Sequence, residues 1–203
     1  GNTTERYIPN GPMGVTNGEF AFYNQSLMQA VGSVNTAWNY QFNREGIVQF
    51  KDGIWSNIGA LNTPLLDTVL DIIALTVDPL NGTQWAGSYG GGLLKQSNNQ
   101  FQIFKRQNSL LQAAIGDSGS YRVSGLALDS KRNLWISNYG APQALKLKTV
   151  DDKWFGFTIP FSLTENAVAQ IITDDFNQLW IQSPKGNGLI YYKYGNNIET
   201  TGD

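Results

Sequence analysis

The chain contains no cysteine and no histidine. The first absence removes disulfides and thiolate nucleophiles. The second removes imidazole bases and zinc sites of the usual kind, and the two together exclude Ser-His and Cys-His machinery. Charge is also scarce. Asp, Glu, Lys and Arg make up 15% of 203 residues, against about 25% in an average domain. With a formal net charge of -2 there is no basic surface to neutralise phosphates, so nucleic acid is excluded as a partner. No apolar run approaches the roughly 18 residues of a membrane span. The opening Gly1-Asn2-Thr3-Thr4 lacks the pattern of a signal peptide, and a bare Gly1 in place of Met leads us to expect an excised piece.

Turn formers and strand formers are plentiful: 22 Gly, 20 Asn and 12% aromatics. Together they predict many short strands joined by tight turns.

Three segments share one pattern. Ile72-Ile73-Ala74-Leu75-Thr76-Val77-Asp78 leads through Asn81-Gly82 to Trp85-Ala86-Gly87-Ser88. Val123-Ser124-Gly125-Leu126-Ala127-Leu128-Asp129 leads to Asn133-Leu134-Trp135-Ile136-Ser137-Asn138. Val168-Ala169-Gln170-Ile171-Ile172-Thr173-Asp174 leads to Asn177-Gln178-Leu179-Trp180-Ile181-Gln182-Ser183. The tryptophans are 50 and 45 residues apart, a period of propeller blades or helical arrays. β-branched and aromatic runs broken by Asn and Gly decide for blades.

Each repeat reads as four strands. Strand A ends at the Asp, strand B carries the Trp, strand C starts at Leu93, Leu145 or Leu189, and strand D holds Phe101 with Phe104 or Trp154 with Phe157. Small residues on strand A (Ala74, Gly125) suit the crowded axis, and the Trp suits the widening wedge between blades. A degraded repeat comes first: Phe20 to Tyr23, Leu27 to Ser33 with Met28 at the Trp place, Gly46 to Phe50, and Lys51 to Trp55. An insertion, Val34 to Glu45, separates its strands B and C. The expectation is an all-β chain, 1–203, forming one β-propeller arc of about four blades, mostly of four antiparallel strands. The blades run 13–60, 64–112, 119–160 and 163–199, with residues 5–8 as a stray outer strand.

The apolar strand, Asp, Asn/Gly, Leu-Trp-Ile and Gly-Leu order resembles the two-component-regulator propeller repeat, found in periplasmic sensor regions of hybrid histidine kinases. Longer strings resemble PorZ-like propeller proteins of the type IX (Por) secretion system of Bacteroidetes: Val77-Asp78-Pro79, Gly87 to Leu94, Asn108-Ser109-Leu110, Arg122 to Ala127, and Lys185 to Ile190. The resemblance runs from about Pro9 to Asn197. It implies an extracytoplasmic protein, periplasmic or at the cell surface, that takes part in secretion-complex assembly and binds anionic lipopolysaccharide or other glycans. It supplies no catalytic residues and no cofactor. It implies more blades than fit here, hence a fragment of a larger propeller. The alternative it leaves open is the ligand-sensing domain of a hybrid two-component kinase.

Enzyme readings find little support in the residues. Asp78, Asp129 and Asp174 lie one period apart, on separate blades, and read as hairpin-turn residues. Asp151-Asp152 and Asp174-Asp175 are neighbours in sequence, so strand geometry would send them to opposite faces. A sialidase Asp box needs Asp two residues before Gly; Asp78 stands four before Gly82. Gly90-Gly91-Gly92 precedes a strand, not a helix, and reads as a tight turn, not a phosphate cradle. For binding, the B–C and D–A loops emerge on one side, gathering Trp38, Tyr40, Arg44, Tyr89, Asn138, Tyr139, Lys185 and Asn187. Aromatic faces with amides suit a glycan or a protein partner there. The plainer reading is that Trp38 and Phe42 pin the insertion to its blade. Bare blade faces at the two ends lead us to expect either a closed four-blade ring, with Tyr7 and Ile8 completing the last blade, or an open arc that forms a homodimer.

Overall fold

The computed structural model describes residues 10–14, 16, 18–186 and 188–194. Four consecutive antiparallel meanders follow the four repeats, in three sheets of four, eight and three described strands. Blade 1 is β1 (Phe20–Tyr23), β2 (Ser26–Ala30), β3 (Ile47–Lys51) and β4 (Ile54–Ile58). Blade 2 is β5 (Ile72–Val77), β6 (Gln84–Gly90), β7 (Gly92–Ser97) and β8 (Gln100–Phe104). Blade 3 is β9 (Tyr121–Leu128), β10 (Leu134–Asn138), β11 (Leu145–Lys148) and β12 (Trp154–Phe157). Blade 4 has three described strands, β13 (Ile171–Thr173), β14 (Gln178–Ser183) and β15 (Gly188–Lys193). The predicted outer strand at residues 5–8 and the tail from 195 lie outside the described residues.

Local sequence explains the turns. Asn24-Gln25 and Asn98-Asn99 both take positive φ, the geometry of a two-residue hairpin whose twist matches the strands. The A–B turns depend on their Asp. Asp129 Oδ1 accepts from the amides of Lys131 and Asn133 at 2.9 Å, and Oδ2 accepts from Asn133 Nδ2 at 3.0 Å and the Trp135 indole at 3.3 Å. Asp174 repeats this with Phe176, Gln178 and the Trp180 indole. Trp85 stands one residue farther from its Asp. Asp78 accepts from the Leu80 amide at 2.9 Å and, in place of the indole, pairs with Arg132 of blade 3 at 2.7 Å, which holds its carboxyl below the usual range. The hairpin role expected of these three residues is what the structure shows.

The three tryptophans occupy equivalent register positions: Trp85 opposite Thr76 and Lys95, Trp135 opposite Ala127 and Leu147, Trp180 opposite Ile172 and Tyr191. Trp85 and Trp135 are buried between blades. At the axis the blades nearly touch. A Cβ on Gly125 would lie 2.2 Å from the Ala169 carbonyl oxygen of blade 4, so no side chain fits there.

Two features depart from a plain stack of separate blades. Blades 2 and 3 form one continuous sheet, because β9 runs eight residues and its first ones, Tyr121 and Arg122, pair with Gly90 and Tyr89 of β6. In blade 4 the inner strand is shortened to three residues, though Val168 and Ala169 stay buried just before it. Among the described residues no strand of blade 1 pairs with blade 4. Phe20 and Phe22 of β1 and Ile172 of β13 stand exposed along that seam. The inner strands surround an axial cavity of about 610 Å³, which the seam leaves open between Phe20 and Ile172.

Candidate functional site

The insertion between β2 and β3 crosses over the axis and is fixed by one buried carboxylate. Asp71 accepts from the amides of Gln41, Phe42 and Asn43 at 2.8–3.0 Å and from Asn43 Nδ2 at 2.8 Å. Three main-chain donors on one carboxylate hold the loop as a rigid arch. A bridge between Val34 and Tyr40 closes its base. Trp38 sits at the tip with φ of 60°, a left-handed conformation that a bulky residue keeps only under tertiary constraint.

That constraint is an aromatic stack. The Trp38 ring lies on Tyr139 at 5.3 Å and 8°, and tilts against Tyr89 at 6.0 Å. Tyr89 Oη donates to the Trp38 carbonyl at 2.9 Å. The Arg122 guanidinium lies 5.1 Å from the Tyr40 ring, 5.2 Å from Tyr89 and 5.9 Å from Tyr139. It donates to Tyr40 Oη at 3.1 Å and pairs with Asp117 at 3.0 Å. Burial acts to lower Arg122, but its bonds to Tyr40 and Asp117 and the nearby tyrosines outweigh this, and the net shift is upward. Burial raises both Tyr89 and Tyr139, the latter to about 12. At pH 7 Tyr89 and Tyr139 are therefore neutral phenols packed around a cation that Asp117 pairs.

The structure brings five of the eight predicted residues into this assembly: Trp38, Tyr40, Tyr89, Tyr139 and Lys185. Lys185 Nζ donates to the Ala37 carbonyl at 2.9 Å and lies 3.5 Å from Glu165. Tyr89 and Tyr139 are almost fully buried, so they support the surface rather than form it. Asn138 is wholly buried, its amide bonded to Gln112 and the Arg122 carbonyl. Arg44 stands apart at the rim, paired with Asp67. Asn187 lies outside the described residues. Of the two residues expected to pin the insertion, Trp38 does so and Phe42 is 66% exposed.

Sequence reading missed Arg122, Asp71, Asp117 and Glu165. Arg122 had one signal, being one of only five arginines and standing at the head of an inner strand. Asp71 had none, because the other repeats carry no acid at that place. Beside the stack, Arg122, Tyr139, Ile115, Glu165 and Asn166 line a recess of about 420 Å³. Glu165 and Asn166 both take positive φ, 57° and 46°. Turn bonds from the Asn166 amide to the Leu163 carbonyl and from the Ala167 amide to the Thr164 carbonyl hold this tip. Among the described residues no group of His, Cys, Asp or Glu is arranged to hold a metal ion.

No family model matches the sequence, and no curated protein does. Solved structures do. PorZ, a surface component of the type-IX secretion system of Porphyromonas gingivalis, superposes with a TM-score of 0.79 at 18% identity, over 98% of this chain and 28% of PorZ. The extracellular domain of a Bacteroides thetaiotaomicron protein described as a hybrid two component system gives 0.54 at 14% identity, over 88% of this chain and 27% of that one. A catalytically inactive histidine-to-alanine form of virginiamycin B lyase from Staphylococcus aureus, solved with quinupristin, gives 0.52 at 16% identity, over 92% and 74%. The chain thus spans little more than a quarter of PorZ's length. At these identities the likeness is one of fold, and the fold of this chain is that of β-propeller proteins.

Proposed function

We propose that this chain is a non-catalytic, extracytoplasmic propeller segment that binds a glycan, anionic lipopolysaccharide above all, and helps assemble a surface complex of type IX secretion. The observation that carries the reading is the superposition on PorZ across nearly the whole chain. The recess beside Arg122 suits the ligand: an amide, a carboxylate and a guanidinium converge at its wall. Arg44 and Lys185 stand on the same side, each beside an acid, Asp67 and Glu165, from which an anionic ligand would have to draw it. A lyase-type activity is disfavoured. The lyase of this fold loses catalysis when one histidine becomes alanine, and this chain has no histidine.

The test is titration of purified lipopolysaccharide against the native chain and an Asn166→Ala, Lys185→Ala double variant. The variant is expected to bind about tenfold more weakly, about 1.4 kcal/mol. Equal affinity removes this face as the site. Tight binding of a small soluble oligosaccharide, with lipopolysaccharide ignored, moves the reading to ligand sensing, as the likeness to the two component system's extracellular domain suggests.

A further inference from the structure

The interfaces between blades have one polarity. Each strand-B tryptophan faces the following blade: Trp85 packs with Leu126, Leu134 and Ile136 of blade 3, and Trp135 packs with Leu179 and Tyr192 of blade 4. One strand-C residue of the following blade caps each indole. In both interfaces it is the register partner of the residue just before that blade's own tryptophan, and it shares the indole with a second side chain, Lys95 at Trp85 and Tyr194 at Trp135. Lys148, partner of Leu134, places its ammonium 5.3 Å from the Trp85 ring. Tyr192, partner of Leu179, places its ring 6.1 Å from Trp135.

Two outer faces continue this pattern. On blade 4, Trp180 is the third wedge, in one row with Ile172 and Tyr191, which are 56% and 49% exposed. An apolar hollow of about 300 Å³ lies beside it. On blade 1, Phe50 is the register partner of Leu27, the residue before Met28, and so holds the place of Lys148 and Tyr192. Phe22, opposite Leu27 in the same row, is 72% exposed. Among the described residues, blade 4 carries a wedge that no other blade covers, and blade 1 carries a cap with no tryptophan of another blade beneath it.

We propose that two copies of this chain associate head to tail, the Trp180 face of one seated on the Leu27–Phe50 face of the other. Phe50 then caps Trp180 as Tyr192 caps Trp135. A second copy carries both halves in the polarity that the interior interfaces set, whereas a face-to-itself dimer would bring two wedges or two caps together. The contact is heterologous, and with two copies it closes when each uses both faces. The axial cavity is then walled by inner strands of both copies, because Phe20 of one closes the seam beside Ile172 of the other. This rests on the flanks and not on the glycan face.

Because the chain has no cysteine, single cysteines report the contact directly. Phe22→Cys and Ile172→Cys proteins are prepared separately, mixed, and treated with a short bis-maleimide. A cross-linked dimer is expected in the mixture and neither variant alone should give one. Absence of the mixed product, or equal self-linking of either variant, overturns the proposal. Sedimentation of the native chain across a concentration series gives a second reading. A concentration-dependent doubling of mass that Ile172→Lys abolishes agrees with it; a native chain that stays monomeric throughout overturns it.

Discussion

Blades 3 and 4 are built from nearly the same sentence of sequence and end in different environments. Both run apolar strand, Asp, Asn, Leu-Trp-Ile, and in both the Asp takes two turn amides and the indole N–H. Yet Trp135 is wholly buried while Trp180 is only partly buried, and β9 runs eight residues where β13 runs three. The repeat therefore specifies the hairpin, the register and the direction of the tryptophan. It does not bury that tryptophan; the next blade does. In a quasi-one-dimensional stack stability is the sum of unit and interface terms, and among the described residues blade 4 has one interface fewer than blade 3.

Substituting the two tryptophans separates these terms most sharply. Trp135→Ala is expected to destabilise by about 3–5 kcal/mol, since it opens a cavity among Phe157, Tyr192 and Tyr194. Trp180→Ala in the dilute chain should cost about 1–2 kcal/mol, because water already wets one side and less apolar area returns to solvent. Denaturant melts of the two variants check this. Equal losses would break the comparison and mean that blade 4's outer face is covered.

The blades were legible because a propeller repeats one local rule, and a 45- to 50-residue spacing of Trp with Asp six or seven residues before it exposes that rule without tertiary knowledge. Even the degraded first repeat could be placed, Phe20–Tyr23 forming its inner strand as expected. The sheet shared by blades 2 and 3 was not legible. It depends on how far β9 overruns β10, and on a bulge at Ser137 and Asn138 that no residue type announces. The site was half legible. Trp38, Tyr40, Tyr89 and Tyr139 could be gathered on one side by counting loops. Which of them face solvent depends on Asp71 and Arg122, whose partners on the insertion are 28 to 82 residues away in sequence.

The turn carboxylates give the next contrast. Asp129→Ala leaves the Asn133 amide, its side chain and the Trp135 indole without their acceptor in a buried turn, and should cost about 2–3 kcal/mol. Asp174→Ala opens a turn that water reaches, and a smaller loss is expected. Hydrogen exchange would localise both. Asp129→Ala should speed exchange across β9 and β10, whereas Asp174→Ala should leave blade 3 unchanged. If both variants loosened both blades alike, the blades would not be separable units.

The smallest effect concerns the seam where blade 4 meets blade 1 across the axis. Glu19 lines the axial cavity and accepts from the Leu75 amide at 3.0 Å. Burial pushes its carboxyl up to about 7, against partial relief from Leu75 and Gln170 of blade 4. In the unfolded chain it titrates near 4.5. Between those values the folded protein holds the extra proton, so stability is fully present below about 4.5 and declines as pH rises toward 7. With allowance for cavity water, the decline should amount to about 1–2 kcal/mol. Glu19→Gln keeps the shape without the charge and should remove this component, so that the difference from the native chain grows between pH 4.5 and 7 and then levels. A difference that stays flat over that range would mean that Glu19 faces open solvent and that the inner strands of blades 1 and 4 stand farther apart than the Gln170 contact implies.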